Sequence, residues 1–235
     1  MEKREISLIK TMSALPLCSS SRFHYFAPLE KFDKACYELY CDERVMLPFL
    51  PQLYKMEQVA FQKRRNDHRL KFLEQSCFLD IIHRQTGEFV GTCGFRDFRS
   101  IDCEDELESY HSGELKTQVK KTRLGEFGVN ICHEYQRQGI CSEAFIQMLY
   151  LVKDKLNCAE IEGVTMSRNI PMCSFFEKVG LSVVQKVYID NCGDRHENQV
   201  NEADVEHSVY QGNVKNLLSK YDNKENFLYC RQENS

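Results

Sequence analysis

Leu124-Gly125-Glu126-Phe127-Gly128-Val129-Asn130-Ile131-Cys132, then Gln136-Arg137-Gln138-Gly139-Ile140-Cys141, then a segment carrying Ala144, Phe145, Met148, Leu149, Val152 and Leu156: this stretch decides the reading of the chain. The first part is a short apolar strand pattern. The second is a polar, glycine-bearing turn. The third repeats apolar residues at helical spacing and so predicts a helix with one buried face. A strand that feeds a glycine loop opening a helix is a device for holding phosphate. The first helical turn leaves its N–H groups unpaired, and the helix dipole favours negative charge there. Leu124 to Leu156 therefore predicts a phosphate-bearing ligand.

The rest of the composition narrows the class. A chain of 235 residues fits one domain with insertions, and 42% hydrophobic residues, with 15 Phe and 11 Tyr, supply a full core. A net charge of -4 argues against a nucleic-acid or anionic-membrane partner. The 12 cysteines are scattered, with no Cys-x-x-Cys pair and no zinc-finger spacing, so no metal is expected. Cys36, Cys77, Cys93, Cys132 and Cys158 lie inside apolar patterns and read as reduced core thiols of a cytoplasmic protein. Residues 1–21 read as a flexible arm, because Lys10 breaks what would otherwise be a signal-like apolar run. No run approaches transmembrane length.

Along the chain, Phe23 to Ala27 reads as a strand. A helix follows with Phe32, Ala35, Cys36, Leu39 and Tyr40 on its buried side, then a second helix over Leu53 to Leu73. The Lys63-Arg64-Arg65 run in that second helix reads as a solvated face. Cys77 to Ile82 and Phe89 to Phe95 form a hairpin around Gly87. The segment Arg99 to Arg123 is acidic first and basic later, and reads as a long polar loop near 99–122. Later elements are a strand at Ala159 to Met166, a helix at Pro171 to Val179 and a strand at Ser182 to Ile189. A polar excursion at 190–226 holds a short helix at Val214 to Tyr221, and a last strand covers Phe227 to Arg231. The order is mixed α/β, with a single domain over 22–232.

This order and this loop resemble the GNAT superfamily of acetyl-CoA-dependent N-acetyltransferases, and within it the Rim-type ribosomal-protein N-terminal acetyltransferases. Gln136-Arg137-Gln138-Gly139-Ile140-Cys141 is similar to the family loop Gln/Arg-x-x-Gly-x-Gly/Ala, with Cys141 in place of the last small residue. Ser142-Glu143-Ala144 resembles the family's helix start. Arg168-Asn169 and then Phe176-Glu177-Lys178-Val179-Gly180-Leu181 resemble Asn … Leu-Glu-Lys-x-Gly-Phe. A Walker A loop would need a Lys after Gly139, and the glycines of a dinucleotide fingerprint are absent.

The resemblance implies a mixed, mostly antiparallel sheet of six to seven strands with helices on both faces and a splayed central strand pair. It implies acetyl-CoA as co-substrate, bound by Val129, Asn130 and Ile131 along the strand, by Gln136, Arg137, Gln138, Gly139, Ile140, Cys141 and Ser142 at the loop, and by Asn169. The acceptor is a primary amine, on a protein N-terminus or a small molecule, that attacks the thioester directly; the chain acts as a monomer or homodimer. Glu126 is the candidate base, with an edge-strand glutamate facing solvent as the alternative. Where relatives carry a Ser or Tyr acid, this chain has Met172 and Phe176, neither of which donates a proton. Ser174 is the candidate substitute. The departure leaves a second reading open: a catalytically weak acyl-CoA-binding or regulatory module.

Overall fold

The computed structural model describes residues 15–74, 76–107, 116–190, 195–198 and 204–221. The chain runs through β1 (Cys18–Ser19), β2 (Phe23–Phe26), a 3-10 turn at Glu30–Phe32, α1 (Asp33–Cys41), α2 (Glu43–Met46) and α3 (Gln58–Leu70). It continues through β3 (Cys77–His83), β4 (Phe89–Leu107), β5 (Lys116–Ile131), α4 (Ile140–Leu156), β6 (Cys158–Met166) and α5 (Ile170–Val179). The last described elements are β7 (Ser182–Ile189), β8 (Arg195–His196), β9 (Val205–Asn213) and α6 (Val214–Ser219). Among the described residues nine strands form one sheet in the order β1-β2-β3-β4-β5-β6-β9-β7-β8. Every strand pair is antiparallel except β5 with β6.

Strand alternation divides the core into two layers. Leu79 and Ile81 of β3, with Phe95 and Phe127, pack against Phe145, Met148 and Leu149 of α4, Phe176 of α5 and Leu217 of α6. Ile82 and Phe89 face the other way, onto Cys36, Leu39 and Tyr40 of α1, Met46 of α2 and Phe61 of α3. Covered on both faces, β3 is apolar almost throughout. Its one charge, Asp80, is fully buried and is gripped by Arg65 of α3, whose Nη1 and Nη2 lie 2.8 Å from the two carboxylate oxygens. Arg65 also bonds Asp33 of α1 through Nε at 2.9 Å. The basic run of α3 is thus not simply a solvated face: Arg65 turns inward to pin α1 and α3 to the sheet. Nine described cysteines, Cys36, Cys77, Cys93, Cys132 and Cys158 among them, are free thiols.

Two polar stretches differ from the sequence expectation. Residues 99–107 and 116–123 are not a loop; they extend β4 and β5 into one long hairpin. Its register sets Asp102 opposite Lys121, Cys103 opposite Lys120 and Glu106 opposite Thr117. Within the second stretch, β9 is an inner strand, inserted between β6 and β7. The helix expected at Val214 ends at Ser219. The strand expected at Phe227 to Arg231 lies outside the described residues.

Candidate functional site

Parallel pairing of β5 with β6 begins at Arg123 opposite Cys158 and ends at Phe127 opposite Gly163. Beyond that point the strands part. β5 stays on β4 as far as Ile131 opposite Gly91, while β6 stays on β9 as far as Met166 opposite His207. The result is a fork inside the sheet. Cys132 donates its N–H to the Val90 carbonyl at 2.9 Å. By alternation, Asn130 and Gly128 also turn their backbone groups to β4, whereas Val129 and Ile131 turn theirs into the fork. The Ile131 carbonyl accepts a bond from Gln136 Nε2 at 3.1 Å. Among the described residues no strand pairs with the fork side of Val129 and Ile131.

The floor of the fork on the α4 side is aromatic. Phe127 meets Phe145 edge-on at 5.0 Å and Phe175 at 6.4 Å between ring centroids. The Phe176 ring covers Gly163 so closely that a Cβ there would strike it. Phe176 is therefore a buried wedge with no proton to donate.

Gly139 ends the loop and precedes α4, with φ of 78°, in the left-handed region. An added Cβ would meet only Arg22 Nη2, at 3.9 Å, so backbone conformation rather than space selects glycine here. No side chain caps α4. The N–H groups of Ile140, Cys141 and Ser142 consequently face outward without an intrahelical partner. Glu143, buried in the same turn, binds Arg22 of the β1–β2 turn through Nε at 2.8 Å and Nη2 at 2.7 Å. Arg22 Nη2 also donates to the Gln138 carbonyl at 3.1 Å. Arg22 thereby ties the loop to the sheet edge, a residue that no sequence pattern marks. Arg137, Gln138 and Gly139 are exposed, and Gln138 Nε2 holds the Glu134 carbonyl at 2.9 Å. Burial pushes the Cys141 thiol up to about 12, so it stays protonated.

Asn169 lies where β6 gives way to α5. Its Oδ1 accepts the Met172 N–H at 3.3 Å, and its Nδ2 donates to Thr165 Oγ1 at 3.1 Å. It is an N-cap first, with Pro171 in the opening turn of the helix. Ser174 is exposed, while its neighbours Phe175 and Phe176 pack inward. The structure does not bring Ser174 to the fork.

On the opposite face, a row of polar residues crosses four strands at the fork's base: Arg96, Glu126, Glu162 and Gln211. Glu126 is 3% exposed, not an edge residue facing solvent. Its Oε1 accepts from Arg96 Nε at 2.9 Å and from Nη2 of the same residue; its Oε2 accepts from Arg195 Nη2 at 2.6 Å. Glu162 accepts from Arg99 and Arg195 at 2.9 Å each, and from Gln211 at 3.1 Å. Burial alone would raise the Glu162 pKa, but the bonds from Arg195 and Gln211 and the arginine charges outweigh it and hold it below the usual range. Arg195 bridges the two carboxylates. A cavity of about 280 Å³ adjoins this cluster, lined by Arg99, Glu162, Gln185, Arg195 and Gln211 among others. The arginines were not legible as site residues, since Arg96 and Arg195 are almost 100 positions apart and meet only through the sheet.

The profile of the acetyltransferase (GNAT) domain matches residues 25–182. No curated protein matches the chain. Among solved structures, the GNAT-family acetyltransferase from Bacillus anthracis is similar with a TM-score of 0.57 at 16% identity, over 84% of this chain and 98% of that one. Spermidine N-acetyltransferase from Vibrio cholerae, in complex with CoA and spermine, gives 0.62 at 12% identity, over 85% and 99%. RimL, a ribosomal L7/L12 alpha-N-protein acetyltransferase in complex with coenzyme A, gives 0.58 at 11% identity, over 83% and 95%. At these identities the likeness is one of fold.

Proposed function

From a chain that belongs to the GNAT acetyltransferase family, we propose an acetyl-CoA-dependent N-acetyltransferase that acts on a primary amine in a ternary complex. The observation that carries this reading is the fork: a backbone edge at Val129 and Ile131 that no described strand covers, its Ile131 carbonyl held by Gln136, ending at a helix start without a side-chain cap. An extended pantetheine arm adds to such an edge as a strand would. The N–H groups of Gly139, Ile140, Cys141 and Ser142 suit a pyrophosphate, with Gln136, Arg137 and Gln138 around it. Asn130 turns its backbone to β4 and keeps its side chain on the far face. Asn169, already committed as a cap, positions the mouth of the β6 arm. The bound donor supplies a thioester carbonyl carbon for the amine to attack.

The acceptor amine must be neutral. At pH 7 an α-amine pays only about 1 kcal/mol for this and a lysine about 4–5 kcal/mol. A protein N-terminus or a small amine of modest basicity fits a site without a strong carboxylate base. A Rim-type acceptor is one such case, and spermidine N-acetyltransferase shares the fold equally well. The second reading, an acyl-CoA-binding module with weak turnover, draws on the arginine-bound Glu126 and on Met172 and Phe176. Calorimetric titration with acetyl-CoA, followed by thiol release over a panel of amines and N-terminal peptides, tests both. Binding with turnover supports the enzyme, binding alone the module, and no binding refutes the cleft.

A further inference from the structure

We propose that His207 of β9 is the base that takes the proton from the attacking amine, an inference that rests on the acetyl-transfer reading above. The carboxylate expected in that role, Glu126, has both oxygens engaged by Arg96 and Arg195. The face it occupies carries a second basic group. Gln211 bonds Glu162, which fixes the side of β9 that shares this face. Alternation then puts Val209 and His207 on the same side. His207 stands opposite Met166, three residues beyond the last β5–β6 pair. Neighbouring strands lie about 4.8 Å apart, so a ring on β9 reaches the β6 arm of the fork.

The tautomer follows from one bond. His207 Nδ1 lies 2.8 Å from the carbonyl oxygen of Val205. A carbonyl only accepts, so Nδ1 carries the hydrogen and Nε2 carries a lone pair. The Glu206 carbonyl accepts the Ser167 N–H on the β6 side at 3.0 Å, so by alternation the Val205 carbonyl faces β7 and draws Nδ1 to the side away from β6. Among the described residues Nε2 has no hydrogen-bond partner. The charged groups around the ring are Arg195 of β8, Glu126 of β5 and Arg168 just past β6; β7 presents Val187. Burial, Arg195 and Arg168 lower the pKa, the Val205 bond and Glu126 raise it, and the net shift is downward. The imidazole is neutral at pH 7. Of the other histidines here, His68 stacks on Phe78 at 5.1 Å and its pKa, lowered by burial to about 4, makes it too weak a base, while His196, which lines the cavity beside Arg195, has its Nε2 3.5 Å from Asp190 Oδ2.

In the step itself the amine nitrogen forms the new C–N bond, and the C–S bond breaks with its electron pair left on sulfur. Nε2 receives the nitrogen's proton through a bridging water. Solvent protonates the thiolate and later takes the proton from His207, so no further reactant is needed.

The test measures kcat and KM from pH 5.5 to 9 for the full chain, His207→Gln and His207→Ala, with nitrogen-15 NMR of the wild-type imidazole. The expected result is a fall in kcat on the order of 100-fold with the KM for acetyl-CoA unchanged, loss of the acidic limb of the pH profile, and an Nδ1–H neutral ring. Acetyl-CoA affinity and melting temperature report whether each variant is folded. Retention of kcat within threefold, or of the acidic limb, overturns the assignment and leaves the acetyltransferase reading standing. An Nε2–H or charged ring at pH 7.5 overturns it even if neither variant folds. Wild-type chain that binds acetyl-CoA but turns over no amine refutes both.

Discussion

Gly139→Asp separates the two properties of the loop that holds the fork's outer end. Any side chain at φ of 78° pays for left-handed backbone, about 1–2 kcal/mol. At about 2–4 °C per kcal/mol for a chain this size, Gly139→Ala should melt about 2–8 °C lower. Asp tolerates that region better than Ala and suits the positive end of a helix dipole, so Gly139→Asp should melt at or above Gly139→Ala. Affinity should move the opposite way. A carboxylate about 5 Å from a phosphate charge costs about 0.8 kcal/mol in a water-like medium and about 3 at an effective dielectric of 20. The loop is exposed, so about 1–1.5 kcal/mol per charge applies, and two phosphates sum to about 2–3 kcal/mol. That is roughly a 30- to 150-fold loss of acetyl-CoA affinity relative to Gly139→Ala. Calorimetry at low salt reads the loss, and at 1 M salt, where the screening length is about 3 Å, most of it should vanish. If Gly139→Asp binds within threefold of Gly139→Ala at low salt, the loop is not the anion site.

Gly163→Ala should cost about 1–3 kcal/mol by driving a methyl into the Phe176 ring, and Phe176→Leu should absorb most of that; additive denaturation midpoints would refute the contact. Arg195→Ala leaves Glu126 and Glu162 short of a shared donor and should destabilise by about 2–4 kcal/mol in urea, with Lys at 195 failing to restore it because a single ammonium cannot span both carboxylates. His68 has a folded pKa of about 4 against an ordinary 6.5, so the unfolded chain binds more protons between those values. Its contribution is present above pH 6.5 and lost as pH falls to about 4, and His68→Phe should flatten the urea midpoint across that window.

The central part of the fold was legible because its signals are local. Leu124 to Ile131 alternates, Gly139 punctuates, and α4 repeats at helical spacing, each within a few residues. The strand at Ser182 to Ile189 was read at its observed bounds for the same reason. The outer half of the β4–β5 hairpin was missed because residues 99–107 and 116–123 carry polar and charged residues in place of the apolar alternation that marks a strand. β9 was missed because His207, Ser208 and Gln211 dilute its apolar residues, although the strand is flanked on both sides. Glu126 was found, but its two arginines were not, and they change what it can do. Ser174 was chosen by position in the chain, and the direction of a helical side chain is what sequence position conveys least well.

Unpaired strand edges usually lie on a protein's perimeter, where they invite pairing with other chains and aggregation. The fork keeps such an edge in the interior, with α4 and α5 on one face of the sheet and the α1–α3 layer on the other. Flanked by β4 on one side and by β6 with β9 on the other, it is kept from the pairing with other chains that an outer edge invites. It also leaves a mark on the free protein: the amide protons of Val129 and Ile131 should exchange with solvent faster than their strand neighbours Gly128 and Asn130, and slow down when the edge is filled.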